Sequence, residues 1–184
     1  MKAEQVFATI GLLGSVVAFA ADAPVSDTWQ VKLPAIQAVV RHVFPQQAAN
    51  VHYPISVIQT ADLSGTGGSE ALINLGSGGY TDDVTVMQLQ GDNPVAAKFR
   101  RDNKIGPMVF TSGSADDRGG EVRLVAKDHA IFSGYWEMKG TKLKECHSEV
   151  YQWDNEHKDF SYARKLSKEM SRDYCTAVIT RLKK

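Results

Sequence analysis

The chain has 184 residues, of which 43% are hydrophobic and 23% are charged. These proportions are typical of globular proteins, and they exclude a chain that is disordered, collagen-like or coiled-coil throughout. The 21 basic residues balance the 21 acidic residues, so the net charge is zero. Phosphate contacts dominate the affinity of nucleic-acid-binding proteins, which usually carry a basic excess, so this balance argues against a nucleic acid partner.

Residues 1–21 have the pattern of a secretory signal peptide. The uncharged run over residues 6–21 is shorter than the about 20 residues of a membrane span. It contains Ala18-Phe19-Ala20, a small-x-small motif that signal peptidase accepts. We therefore predict a cleaved signal over residues 1–21 and a single globular β-rich domain over residues 22–184. The predicted location is periplasmic or secreted, without membrane contact after cleavage; an uncleaved anchor or a buried N-terminal helix is the alternative.

Cys146 and Cys175 are the only cysteines of the chain. An even number of cysteines in an oxidising compartment favours a disulfide bond, so we predict that these two residues are bonded. Two buried free thiols are one alternative. A catalytic Cys146 next to His147 is the other, and it is disfavoured because adjacent residues of a strand point to opposite faces.

A helix is predicted near each end of the mature chain. The first spans residues 34–44, where one apolar stripe repeats at helical spacing and prolines stand at both ends; the stripe consists of Ile36, Val39, Val40 and Val43. The second spans residues 167–182, with Ser167 as its N-cap. Its apolar residues recur every four positions, at Met170, Tyr174, Val178 and Leu182.

The region between the helices alternates apolar and polar residues and is interrupted by glycine-rich turns. Strands are predicted around Ile55, Ala71, Val84, Phe99, Val109, Val122, Ala130, Leu143 and Phe160. Strands at this spacing are typical of an antiparallel meander or a sandwich. The predicted fold class is therefore mainly β (α+β), flanked by an N-terminal and a C-terminal helix.

The loop from Asp62 to Ile73 reads DLSGTGGSEALI. It resembles the calcium loop of FG-GAP and VCBS-type repeats, whose pattern is D-x-D-G-D-G-x-x-[DE] followed by an apolar strand. The resemblance implies calcium ligation by Asp62, Ser64, Thr66 and Glu70. Ser64 and Thr66 replace two acidic residues, and calcium affinity rises with ligand charge, so only a weak calcium site is expected. A metal-free turn, held by glycines and by Asp62 accepting backbone N–H groups, is the alternative.

Other catalytic and metal-binding motifs are absent from the sequence. It contains no G-x-S-x-G, Walker, dinucleotide-binding or H-E-x-x-H pattern. The spacing of His129, His147 and His157 does not match a metal site, so no cofactor other than weakly bound calcium is predicted. The pairs Asp82-Asp83 and Asp116-Asp117 are predicted in loops and are interpreted as solvated turns. The alternatives are that they complete a calcium site with Asp62 and Glu70, or that these acids supply the carboxylate pair of a hydrolase. No catalytic residue is assigned.

Aromatic residues are concentrated in the last strands. The candidate binding residues are Tyr135, Trp136, Tyr151 and Trp153, which either fill the sheet core or stack a sugar or peptide. A turn over residues 154–157 would place Tyr151 opposite Phe160. The basic spots Arg100-Arg101 and Lys142/Lys144 are interpreted as solvated strand edges.

These observations favour a non-enzymatic binding or interaction module for an unknown protein, peptide or glycan. A calcium-stabilised structural domain and a hydrolase with loop carboxylates are the alternatives. The chain as a whole also resembles small secreted bacterial proteins.

Overall fold

The structure, a computed structural model, describes residues 27–67, 69–77 and 81–182. The predicted signal peptide lies outside the described residues. The fold is mainly β, with 48% strand and 27% helix. This composition confirms the predicted fold class, and both predicted flanking helices are present.

Four α-helices and eleven strands make up the described part of the chain. The helices are α1 (Asp27–Gln30), α2 (Leu33–Val43), α3 (Pro45–Ala49) and α4 (Arg164–Leu182). The strands are β1 (Ser56–Ala61), β2 (Glu70–Asn74), β3 (Thr81–Gln90), β4 (Asn93–Ala96), β5 (Phe99–Arg101), β6 (Lys104–Gly106), β7 (Phe110–Ser114), β8 (Arg118–Val125), β9 (Ala130–Lys139), β10 (Lys142–Asp154) and β11 (Asp159–Tyr162). A 3-10 helix, Ala126–Asp128, connects β8 to β9.

All of these strands belong to one sheet, in the order β1-β2-β3-β7-β8-β9-β10-β11-β5-β6, with β4 paired to β3. Every pair is antiparallel except β11 with β5, which is parallel. The strands from β7 to β11 follow each other as a meander. The sequence left open whether the strands would form a meander or a sandwich, and the structure contains one continuous sheet.

The sheet folds over on itself around an inner core. Buried side chains from β2 and β3 contact buried side chains from the meander and from β5; they include Leu72, Val84, Val86, Phe99, Phe110, Leu124, Ile131, Tyr151 and Phe160. Gln59 of β1 closes the fold against β8. Its side-chain amide donates to the Leu124 carbonyl at 3.1 Å and accepts the Leu124 N–H at 2.8 Å. A side chain thus replaces the strand that would otherwise pair with this part of β8.

The helix α2 covers the outer face of the first strands. Ile36 and Val40 are buried against Ile73 and Met87 in a second core. Val84 of β3 belongs to the inner core, whereas Met87 belongs to this outer one. Both faces of β3 are therefore buried, which explains why apolar residues occur at both even and odd positions along this strand.

The helix α4 covers the outer face of β9 and β10 at the other end of the sheet. Tyr174 and Val178 pack against Phe132 and Val150 in a third core. The predicted disulfide is present in this layer: the Cys146 and Cys175 sulfurs are 2.08 Å apart and the Cα atoms 5.8 Å apart. It links the fourth turn of α4 to β10.

Two serines of α4 provide hydrogen bonds to the uncovered edge of β10. The Val150 N–H donates to Ser167 Oγ at 2.8 Å, and the Ser148 N–H donates to Ser171 Oγ at 2.7 Å. The Ser171 hydroxyl donates in turn to the Ser148 carbonyl at 3.0 Å. The prediction that Ser167 is the N-cap of this helix is wrong, because α4 begins at Arg164 and Ser167 faces the strand.

The substitution Ser171→Ala tests this contact. Ser148 is buried, so losing Ser171 Oγ leaves a buried N–H and carbonyl unpaired, and the free energy of unfolding should fall by about 1–3 kcal/mol. Thr176→Ala is the matched control, since Thr176 is exposed on the same helix and should change stability by less than about 0.5 kcal/mol. Urea denaturation of the oxidised chain measures the free energy of unfolding of both variants. An equal loss of stability in both would contradict the role of Ser171 in satisfying the edge of β10.

Candidate functional site

The Asp62 loop forms a compact turn around its own side chains. The Asp62 carboxylate accepts the Gly65 N–H at 2.8 Å and the Gly67 N–H at 3.2 Å. Both glycines have positive φ, 67° and 75°, a conformation that other residues rarely adopt. Ser64 Oγ lies 2.8 Å from Thr66 Oγ1 and 3.5 Å from Asp62 Oδ1. Three of the four predicted calcium ligands therefore converge in the loop.

Glu70, the fourth predicted ligand, lies at the start of β2 and is buried. Its Oε2 accepts the Leu63 N–H at 2.7 Å and the Ser64 N–H at 3.3 Å. Burial raises the pKa of the Glu70 carboxyl above its ordinary value of 4.5, against the opposing effect of these hydrogen bonds. The carboxylate fastens the beginning of the loop to β2, so this residue has a structural role without any metal.

A second group of potential metal ligands lies in the turn between β10 and β11. The ligand atoms of Asp154, Glu156 and His157 all lie within 4.8 Å of one another. The Asp154 carboxylate accepts the N–H groups of Glu156 and His157, and the His157 ring, 2.8 Å away, lowers the pKa of Asp154 to about 2. These contacts are those of a local turn. His129 and His147 lie elsewhere, beside Leu63 and Glu145 respectively.

The two acidic pairs lie on different elements, β3 and the turn between β7 and β8. Asp82 and Asp83 lie within β3 rather than in a loop, which corrects the prediction, and Asp83 accepts the Ser77 hydroxyl at 2.9 Å. Asp116 and Asp117 are exposed between β7 and β8. None of these residues, nor Asp62 or Glu70, lines either of the two clefts described below. The carboxylates that the sequence suggested for a hydrolase are therefore not the ones that line these clefts.

The four aromatic candidates do not share one surface. Trp136 packs in the layer under α4, where its indole lies over Gly119; a Cβ on that glycine would be 2.7 Å from the ring. Tyr151 is fully buried in the inner core, so it cannot contact a ligand, which corrects its place in the binding set. Trp153 is half-buried against the same core, and Tyr135 is half-buried beside His147.

The pairing between β10 and β11 also differs from the prediction. Trp153 is opposite Phe160 and Tyr151 is opposite Tyr162. The corresponding ring centroids are 5.1 Å and 5.6 Å apart. This register places Tyr162 at the end of the aromatic row, where β11 ends and only one residue separates it from α4. Tyr162 is half-buried, as Trp153 is, and it lines the clefts described next.

Two adjoining clefts lie where β5, β10, β11 and α4 meet. The first has a volume of about 360 Å³ between β10 and the first turns of α4, and the second has about 310 Å³ beside the turn between β5 and β6. They share the side chains of Arg101, Tyr162 and Arg164. We call the two clefts together the basic groove. Its charged lining residues are Arg100, Arg101, Arg164, Lys168, Asp102 and Glu149.

Arg101 is held in a fixed position in the basic groove. Its guanidinium forms a hydrogen-bonded ion pair with Glu149 and lies 4.7 Å from the centre of the Tyr162 ring. Glu149 also accepts the Tyr151 hydroxyl at 2.8 Å. Burial raises the pKa of Tyr151, and the adjacent Glu149 acts in the same direction, so Tyr151 remains a hydroxyl donor at neutral pH. Arg101 is therefore linked through Glu149 to Tyr151 of the inner core.

Arg164 and Lys168 complete the groove from α4. Both are exposed, and neither forms an ion pair with any described residue. Arg164 and Lys165 open the helix, whose first turn has no acidic residue. The helix dipole disfavours cations at this end by up to about 1 kcal/mol each. Helix stability therefore does not explain why basic residues stand at the start of α4.

Sequence reasoning missed this groove although a signal was present. The segment from Arg164 to Lys168 carries three basic residues and no acidic one at a predicted helix start, which reverses the usual charge preference. Arg100 and Arg101 were interpreted as a solvated edge. Arg100 instead donates to the buried Asp159 at 2.6 Å, and Arg101 pairs with Glu149.

Comparisons with protein-family models, with curated proteins and with solved structures found no match. Within residues 27–67, 69–77 and 81–182, no helix combines the length and hydrophobicity of a membrane span.

The pH dependence of stability tests the buried position of Glu70. A carboxyl whose pKa is raised on folding stabilises the fold below its unfolded pKa, and this contribution is lost as the pH rises through the folded pKa. The unfolding free energy of the wild type, relative to Glu70→Gln, should therefore fall as the pH rises from below 4.5, the ordinary pKa of this carboxyl, through its raised pKa in the folded chain. Urea titrations at several pH values in EDTA measure it, with Asp116→Asn as an exposed control. If the unfolding free energy of the wild type instead rose with pH relative to Glu70→Gln, the raised pKa of Glu70 would be refuted.

Thermal unfolding of Asp62→Ala separates the metal-free turn from the calcium site. Loss of the acceptors for Gly65 and Gly67 should cost about 1 kcal/mol, which corresponds to a fall in Tm of about 2–4 °C at this size. We expect this fall in EDTA, with a smaller one for Asp62→Asn. A rise in the wild-type Tm in millimolar calcium, lost in Asp62→Ala, would identify a metal site; an unchanged Tm in EDTA would exclude the turn contacts.

Proposed function

We propose that this chain is a binding module of the periplasm or the extracellular space, and that the basic groove holds negatively charged groups of its ligand. The observation that carries the proposal is the position of Arg164 and Lys168. Both cations are exposed, lack an acidic partner among the described residues and line a concave surface beside the fixed guanidinium of Arg101. A ligand anion would supply the missing partner.

The local charge of the groove differs from that of the whole chain. The chain is neutral, yet four basic residues line the groove against two carboxylates. A cleft with an excess of one sign of charge attracts ligands of the opposite sign and raises their local concentration. The excess of basic residues is therefore a property of this groove and not of the composition of the whole chain.

The groove is also arranged in advance of binding. Glu149 and the Tyr162 ring hold Arg101 in place, and Asp159 holds Arg100. A side chain that is already ordered loses less conformational entropy when a ligand binds. Ser167 fixes the start of α4 to β10 and thereby positions the backbone of Arg164 and Lys168. This arrangement favours a binding role for the groove.

Inorganic sulfate tests the site without assuming a ligand. We expect sulfate, at constant ionic strength, to shift the NMR resonances of Arg101, Arg164 and their neighbours, because these donors converge on the groove. The doubly substituted chain Arg164→Gln/Lys168→Gln should lose these shifts. Lys139→Gln/Lys142→Gln is the matched control, since both lysines are exposed in the hairpin between β9 and β10. Shifts of equal size at unrelated basic residues would contradict the proposal.

Stability provides a second measurement on the same variants. Because cations at a helix N-terminus are unfavourable, Arg164→Gln should raise the free energy of unfolding by a few tenths of a kcal/mol, up to about 0.5. The same substitution should weaken anion binding. A residue with a purely structural role would show loss of stability, so opposite changes in stability and binding identify Arg164 as a ligand-binding residue.

A further inference from the structure

We infer that the ligand of the basic groove is a linear acidic glycan, one that carries carboxylate or sulfate groups along a chain of sugar units. This inference rests on the proposed function and names the class of ligand. It is carried by the shape of the groove, by the chemistry of its lining and by two features that disfavour other polyanions.

The shape of the groove fits an extended ligand. Each cleft is small, about 360 Å³ and 310 Å³, and both are near the lower limit of about 300 Å³ for small-molecule sites. The clefts share Arg101, Tyr162 and Arg164, so they adjoin each other. A chain molecule that crosses this shared wall would occupy both, with neighbouring units in neighbouring clefts.

The lining combines cations with neutral polar groups and carboxylates. Beside Arg101 and Arg164, the second cleft is lined by Ser161, Asn103 and Asp102. A sugar hydroxyl both donates and accepts hydrogen bonds, so it fits a mixture of hydroxyl, amide and carboxylate groups. The cations would bind the acidic substituents, and Asp102 would accept sugar hydroxyls. A ligand with sparse negative charge therefore matches the lining better than a uniform polyanion.

A peptide fits this surface less well. Extended peptides bind by pairing with a free strand edge or by placing apolar side chains in pockets. The edge of β10 in the groove is already hydrogen-bonded to Ser167 and Ser171. No aliphatic side chain lines either cleft. Both sources of peptide affinity are therefore lacking in the groove.

A nucleic acid fits less well for a different reason. Single strands bind by stacking bases on exposed aromatic rings. Two rings line the clefts, Tyr162 and His147. Tyr162 already contacts Arg101, at 4.7 Å, and Tyr151, at 5.6 Å, and His147 contacts Tyr135 at 5.6 Å. Glu149 and Asp102 would also repel a phosphate on every unit.

Calorimetric titration of the chain with four oligomers of equal length tests the inference. The probes are an oligosaccharide of alternating uronic acid and neutral sugar units, an oligosaccharide with a sulfate on every second unit, poly-L-glutamate and the neutral maltohexaose. We expect at least one acidic sugar to bind about tenfold or more tightly than poly-L-glutamate, and maltohexaose to bind weakly. Arg164→Gln/Lys168→Gln should reduce binding of the acidic sugar about tenfold for each lost charge contact, whereas Lys139→Gln/Lys142→Gln should not.

The outcomes separate this inference from the proposed function. Equal or tighter binding of poly-L-glutamate would overturn the glycan assignment and leave an anion-binding groove. Failure of every oligomer to bind, while sulfate still perturbs the groove, would overturn the extended ligand alone. If sulfate caused no shifts in the wild-type groove, both the glycan assignment and the proposed anion-binding function would be overturned.

Discussion

The arrangement of this protein depends on how the free edge of β10 is satisfied. The strand extends over Lys142–Asp154, but β11 pairs only with its last four residues, and unpaired backbone groups are costly when buried. Four residues of helix advance about 6 Å and two residues of strand about 6.8 Å. Residues 167, 171 and 175 of α4 therefore match residues 150, 148 and 146 of β10, as two serine contacts and one disulfide.

This contact also determines where the basic groove lies. The chain leaves β11 at Tyr162 and begins α4 at Arg164, and Ser167 binds the strand one turn later. The first turn of the helix is therefore held beside the end of the aromatic row, while the sheet edge continues past it. The space between them is the groove. Arg164 and Lys168 line it because they lie three and one residues from Ser167, a residue whose position the strand fixes.

The sequence predicted most of the elements whose signal is local. The apolar stripe of α2, the alternation in β8 and β9, and the disulfide were all recognisable. The register of β10 and β11 was not recognisable. The turn between them depends on Lys158 adopting a left-handed conformation with φ of 56°, and no glycine stands there to indicate such a conformation. The strands β4 and β6 are only four and three residues long, and so short a segment has no periodicity to detect.

The candidate site was predictable only in part, for a related reason. Burial of the aromatic row depends on the folding over of the sheet, and this long-range event decides that Tyr151 is inside and that Tyr162 lines the groove. The basic residues at the start of α4 carried a local signal, since they contradict the preference of a helix N-terminus. Natural sequences tend to break such local rules at functional positions. A break without a structural compensation, as at Arg164, is therefore stronger evidence for a binding site than a row of aromatic residues, which a folded sheet needs for its own core.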